Sequence, residues 1–117
     1  MPDRARAEKF RVLLMPAAIE DLGAIIEYIG LDDPIAAANV LAAIRSKCRS
    51  LELLPLRGSI VPELAKAHYK GYRQLIEAPW RIVYRVEGRT VLVLAVLDGR
   101  RDLDAELLER MKRPGRR

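Results

Sequence analysis

The order of apolar and polar positions divides the chain into successive strand and helix patterns. Residues 9–15, KFRVLLM, are a short apolar-rich run stopped by Pro16, as befits a strand that ends at a residue without an N–H. Beyond it Ile19, Leu22, Ile26 and Ile29 recur at three- and four-residue steps. That spacing predicts a helix with one apolar stripe, and it sets Glu20, Asp21 and Glu27 away from the core. The helix ends near Gly30. Asp33-Pro34 restarts the pattern with a side-chain oxygen suited to capping and a proline whose missing N–H would have had no helical partner. Ala37, Val40, Leu41, Ile44, Cys48 and Leu51 form a second stripe, closed by Pro55. The two helices are expected to pack as a hairpin.

Residues 55–71, with Pro55, Gly58, Pro62 and Gly71, read as a connection containing a short strand or turn near Ser59 to Leu64. Strand patterns follow at hairpin spacing over Tyr72 to Ala78, Trp80 to Glu87 and Thr90 to Leu97, joined through Ala78-Pro79 and Glu87-Gly88-Arg89. The run from Val91 to Leu97 is apolar throughout, so this strand is expected to be covered on both faces. From Asp102 to Arg113, Leu103, Leu107, Leu108 and Met111 lie at helical spacing, with acids in the first turn and bases in the last, as the helix dipole favours. The predicted fold class is α+β, a helical hairpin packed on a small antiparallel sheet in the order β-α-α-β-β-β-α. At 117 residues the chain can bury one modest core, so residues 1–117 are expected to form a single domain with flexible tails at 1–8 and 114–117.

No apolar segment approaches the roughly 20 residues of a membrane span, and the first residues are polar and charged. A cytoplasmic protein without a membrane partner is expected. The lone Cys48 excludes an internal disulfide and, with His68 the single histidine, leaves no metal-ligand spacing, so no metal or other cofactor is expected. Cys48 reads as a core residue and His68 as an exposed loop residue. The formal charge of +5 is unevenly spread: residues 1–69 balance nine basic against nine acidic side chains, whereas residues 70–117 carry twelve against seven. Clustered Arg and Lys favour a polyanionic partner, nucleic acid or acidic protein. A solubilising basic face has the same composition.

The stretches "AAIEDLGAIIEYI", "LELLPLRGSIVPEL" and "GYRQLIEAPWRIVYRVEGRTVLVLAVLDGRRD", in this order and spacing, resemble the RelE/ParE superfamily, the toxins of type II toxin-antitoxin operons. The resemblance covers most of the chain. It implies a RelE/ParE-like fold, a cognate antitoxin protein as partner, and one of two targets. ParE-like members inhibit DNA gyrase without catalysis; RelE-like members are endonucleases that cut mRNA on the translating ribosome. Whether the chain is an enzyme therefore depends on its target.

The RNase branch activates a ribose 2′-OH, holds the scissile phosphate and protonates the leaving oxygen with Arg, Lys and a Tyr or His. For a nuclease, the resemblance makes Arg73, Arg81, Tyr84 and Arg101 the catalytic candidates, with Arg101 placed to bind phosphate and Tyr84 to relay a proton. Further basic positions of that branch fall here on Gln74, Ile76 or Glu77. Many members carry a histidine where this chain has Asp98, an acid that ordinarily titrates at about 3.9 and whose charge repels a phosphate. The last helix contains neither Tyr nor His. This incomplete set favours ParE-like inhibition of gyrase, with RelE-like cleavage as the alternative. A third alternative is a degenerate member retained only as a binding module.

On the favoured reading Arg73, Arg81, Arg85, Asp98, Arg100 and Arg101 form the target- or antitoxin-binding surface, with the strand-end arginines on one rim of a basic concavity shared with Arg73 and Arg81. Simpler roles fit the same residues. Arg81 and Arg85 alternate with Trp80, Ile82, Tyr84 and Val86, as the solvated side of a strand would. Arg100 and Arg101 can pair with Asp98 and Asp102 in a turn that caps the last helix. Trp80 and Tyr84 suit a core.

Overall fold

A computed structural model describes residues 8–112; the expected tails, apart from Glu8, lie outside these residues. Strand β1 (Arg11–Leu14) leads into helix α1 (Pro16–Asp32) and helix α2 (Pro34–Arg49). Both helices begin on proline, and Asp33 Oδ1 accepts the N–H of Ala36 at 3.0 Å, the cap that its place before Pro34 predicts. The connection contains a 3-10 turn (Ser50–Glu52), a two-residue strand β2 (Ser59–Ile60) and a helix α3 (Pro62–Lys66) that the sequence reading omits. Strands β3 (Tyr72–Glu77), β4 (Trp80–Glu87) and β5 (Thr90–Asp98) form the meander, and helix α4 (Asp104–Met111) follows.

The sheet order is β1-β5-β4-β3-β2. Its meander is antiparallel as expected, but β1 runs parallel to β5, with Arg11 opposite Thr90 and Leu14 opposite Val93. The sheet is thus mixed. A crossover through three helices and three further strands can return the chain in the same direction, which a tight turn cannot.

Helices α1 and α2 cover one face, where Ala18, Ile44, Cys48 and Leu51 meet Ile82, Tyr84, Val91 and Val93. Helices α3 and α4 cover the other, where Leu64, Leu103 and Leu107 meet Val83, Ala95 and Leu97. Strand β5 therefore contributes to both clusters, as its unbroken apolar run requires. Cys48 lies in the hairpin-side core, and burial pushes its thiol up to about 11. His68 is exposed and adopts a left-handed backbone conformation, φ 70°. No described helix is long and apolar enough to cross a membrane.

β1 accompanies β5 only as far as Val93. Beyond it a side chain closes the strand edge: Asp21 Oδ2 accepts the N–H of Val96 at 3.0 Å, and Asp21 Oδ1 accepts from Arg110 of α4 at 2.8 Å. Asp21 faces inward, contrary to the sequence reading. Helical period sets it on the side of Ala18 and Ile25, both packed into the core, and the unpaired N–H of β5 supplies the partner that makes a half-buried carboxylate tolerable.

Removing that carboxylate orphans the Val96 N–H and leaves Arg110 with Glu106 as its remaining carboxylate. Asp21→Ala is expected to lower unfolding stability by about 2–3 kcal/mol, with an unchanged denaturant slope. Urea titration measures it; a loss below about 0.5 kcal/mol would show that water closes this edge equally well.

Candidate functional site

Alternation along the strands assigns each candidate to a face. Arg73 pairs in register with Tyr84, which belongs to the hairpin-side core. Arg81 lies opposite Leu97 and Arg85 opposite Leu92, on the face covered by α3 and α4. Arg73 and Arg81 consequently do not share the single rim that the sequence suggests. A separation of eight residues across a hairpin does not reveal this parity; the pairing register does.

On the hairpin side, Arg73 Nη1 donates to the carbonyls of Gly58 at 2.7 Å and Leu56 at 3.3 Å, pinning the loop before β2. The buried Tyr84 hydroxyl accepts the N–H of Gly58 at 2.9 Å. A Cβ at Gly58 would lie 2.6 Å from the Gln74 carbonyl oxygen and 2.7 Å from that hydroxyl, so the approach requires glycine. Burial raises the pKa of Tyr84. A hydroxyl fully enclosed and already tied to the backbone is ill placed to relay a proton, and its observed work is to hold the loop.

On the opposite face Arg81 is enclosed by acceptors. Its Nη1 and Nη2 donate to Glu63 Oε2 and Oε1, each at 2.7 Å, while Nε donates to Gln74 Oε1 at 2.8 Å. Only 12% of its side chain is exposed, against 21% for Glu63. The hydrogen bond to Glu63 raises the pKa of Arg81, and the same bond lowers that of Glu63. Gly99 closes the top, since a Cβ there would meet Arg81 Cγ at 2.9 Å. Arg81 is therefore not on a solvated strand face. Glu63 and Gln74 carry this arrangement and are absent from the sequence-based candidates. The available signal was Val61-Pro62-Glu63, a proline and an acid where a helix starts.

The other arginines also have internal partners. Arg85 pairs with Glu87 and stacks over Tyr72, 5.8 Å from the ring centroid, while its buried Nε has no acceptor among the described residues. At the strand end, Arg100 donates from Nε and Nη2 to Asp98 at 3.0 and 2.8 Å. These side-chain bonds, then the Arg100 backbone N–H, hold the half-buried Asp98 down at about 2. Arg101 reaches Glu106 at 3.2 Å and not Asp102, whose Oδ1 accepts the N–H of Asp104 at the start of α4. The arginines of β4 and of the turn after β5 are thus neutralised locally, although the 70–117 segment carries the charge excess.

Exposed Arg45 and Arg49 of α2 have no carboxylate partner among the described residues. They border a groove of about 910 Å³ between the hairpin and β1, with a floor that includes Leu14, Leu22, Ile26, Leu41 and Ile44. Glu27 and Glu52 also line it. No cluster of His, Cys, Asp and Glu suited to a metal occurs among the described residues.

Comparison with known proteins gives concordant results. The family described as the ParE toxin of type II toxin-antitoxin system, parDE, matches residues 12–103. Toxin ParE3 of Caulobacter vibrioides is 43% identical over 37 residues, which are 32% of this chain and 37% of that relative. The match therefore spans well under half of the relative's length. A solved structure of the chromosomal ParDE toxin-antitoxin system from P. aeruginosa superposes with a TM-score of 0.64 at 21% identity, covering 79% of this chain and 98% of that one. At that identity the likeness is one of fold.

The depressed Asp98 provides a direct check of the strand-end pairing. Because its folded pKa lies below the ordinary value, the stability it contributes is present above the usual carboxylate range and is lost as pH falls through about 2. NMR titration of the Asp98 carboxyl is expected to give a midpoint near 2 that returns toward about 4 in Arg100→Ala. An unmoved midpoint would assign the shift to another source.

Proposed function

Because the chain belongs to the ParE toxin family of type II toxin-antitoxin systems, we propose that it is the toxin of such a pair, neutralised by a cognate antitoxin and, when free, an inhibitor of DNA gyrase acting by surface contact. The observation that carries this reading is the engagement of Arg81 by Glu63 and Gln74. A nuclease needs donors aimed at the charge that develops on phosphate, free to receive it. Arg81 is occupied and Tyr84 enclosed, so two of the four nuclease candidates are engaged elsewhere, which supports contact inhibition over cleavage. Contact with a protein target needs no such group.

Arg100 and Arg101, whose side chains are 72% and 61% exposed, are the members of the candidate set best placed to touch a partner. Their exposure also supports a second reading, RelE-like mRNA cleavage with these arginines on the phosphate. For the antitoxin, the groove between α1, α2 and β1 combines an apolar floor with unpaired Arg45 and Arg49, which suits an amphipathic acidic helix. Charge steering should then come from α2 more than from the strand end. On the same reading residues 1–117 act as a single domain.

Two measurements test it. The free protein is assayed in parallel on gyrase supercoiling and on a defined mRNA with translating ribosomes; impaired supercoiling with intact mRNA is expected, and specific mRNA cuts with normal supercoiling would replace this reading with the second. With the antitoxin, Arg45→Glu/Arg49→Glu is expected to slow association about tenfold at low salt, and Arg100→Glu/Arg101→Glu far less. The reverse ranking would move the docking surface to the strand end.

A further inference from the structure

A guanidinium that presents two parallel N–H groups fits a carboxylate and a phosphate in the same way. Glu63 occupies that fork on Arg81 with both carboxylate oxygens at 2.7 Å. It comes from α3, a helix of five residues whose buried anchor, Leu64, sets the neighbouring side chain over β4. Around it Gln74 accepts from the Nε edge of the guanidinium, and Gly99 lets the turn bearing Arg100 and Arg101 pass close to the Arg81 stem. Arg100 makes a two-bond pair with Asp98, and Arg101 a single contact with Glu106.

We infer that Glu63 is a specificity-determining residue, a built-in carboxylate that fills a phosphate-shaped site on Arg81 and excludes the phosphodiesters of RNA from it. Replacing this one side chain uncovers the site. Asp104 also favours the charged form of Arg81, through its charge alone. The inference deepens the reading of the chain as a contact inhibitor, yet it concerns anion binding and is measured without gyrase, ribosome or antitoxin.

Thermal unfolding of the full chain is followed against inorganic phosphate, and separately against a short single-stranded RNA, at matched ionic strength. The chains compared are wild type, Glu63→Ala and Glu63→Ala/Arg81→Gln. Glu63→Ala is expected to bind phosphate at least about tenfold more tightly than wild type, in line with one charge-assisted fork, and to gain RNA binding, with both effects absent from the double variant. Should Glu63→Ala not fold, Glu63→Gln, which keeps the packing and removes the charge, is expected to show the gain in smaller measure. Wild type binding phosphate as tightly as the variant overturns the inference. So does a folded variant with no gain, or a gain that survives loss of Arg81. A wild-type chain without effect on gyrase would defeat the target reading while leaving this result untouched.

Discussion

Arginine cannot shed its charge at any pH a folded protein meets, so an enclosed guanidinium must be matched by acceptors where it lies. Arg81, on the strand at the middle of the sheet, imposes that constraint here. Glu63 meets it from the connection, Gln74 from the adjacent strand, and glycine at position 99 lets the turn after β5 pass over the stem. The short helix α3 is thereby tied to the sheet. Removing one partner of such a pair costs more than the pair itself contributes, because the remaining charge is left enclosed.

The same logic recurs around the molecule. Asp21 joins the hairpin, the open half of β5 and the last helix through one carboxylate. Asp98 and Glu106 engage the arginines of the strand-end turn. A chain with a formal charge of +5 thus holds much of its C-terminal basic excess in local pairs, and leaves α2, beside an apolar groove, as a place where positive charge is unmatched. Net charge along a sequence is a poor map of surface potential when each arginine has a carboxylate within reach of its own fold.

Much of the architecture was legible in the sequence because it depends on periodicity. Ile19, Leu22 and Ile26 marked the first helix, Asp33-Pro34 its successor, and the unbroken run from Val91 to Leu97 a strand covered twice. What stayed hidden depended on register and on long-range pairing. Arg73 and Arg81 look equivalent in a list of basic residues and lie on opposite faces. Asp21 looks like a solvated helical acid until the unpaired N–H of Val96 is placed beside it. Tyr84, which the sequence suited both to a core and to a proton relay, is a core residue, and its bond to the Gly58 N–H is the part that stayed hidden. Glu63 sits in a connection whose proline and glycine content conceals a helix. The state of Arg81 depended on Glu63, 18 residues away in another element, a pairing that no local pattern announces.

The central claim, that Arg81 is internally engaged and not a free anion site, is tested most directly at its own Nε–H. Side-chain NMR of the wild-type chain is expected to show an Arg81 Nε–H that exchanges slowly with solvent and does not move when phosphate is added, while the exposed Arg100 and Arg101 exchange fast. An Arg81 Nε–H that exchanges as fast as theirs, or shifts on phosphate addition, would contradict it.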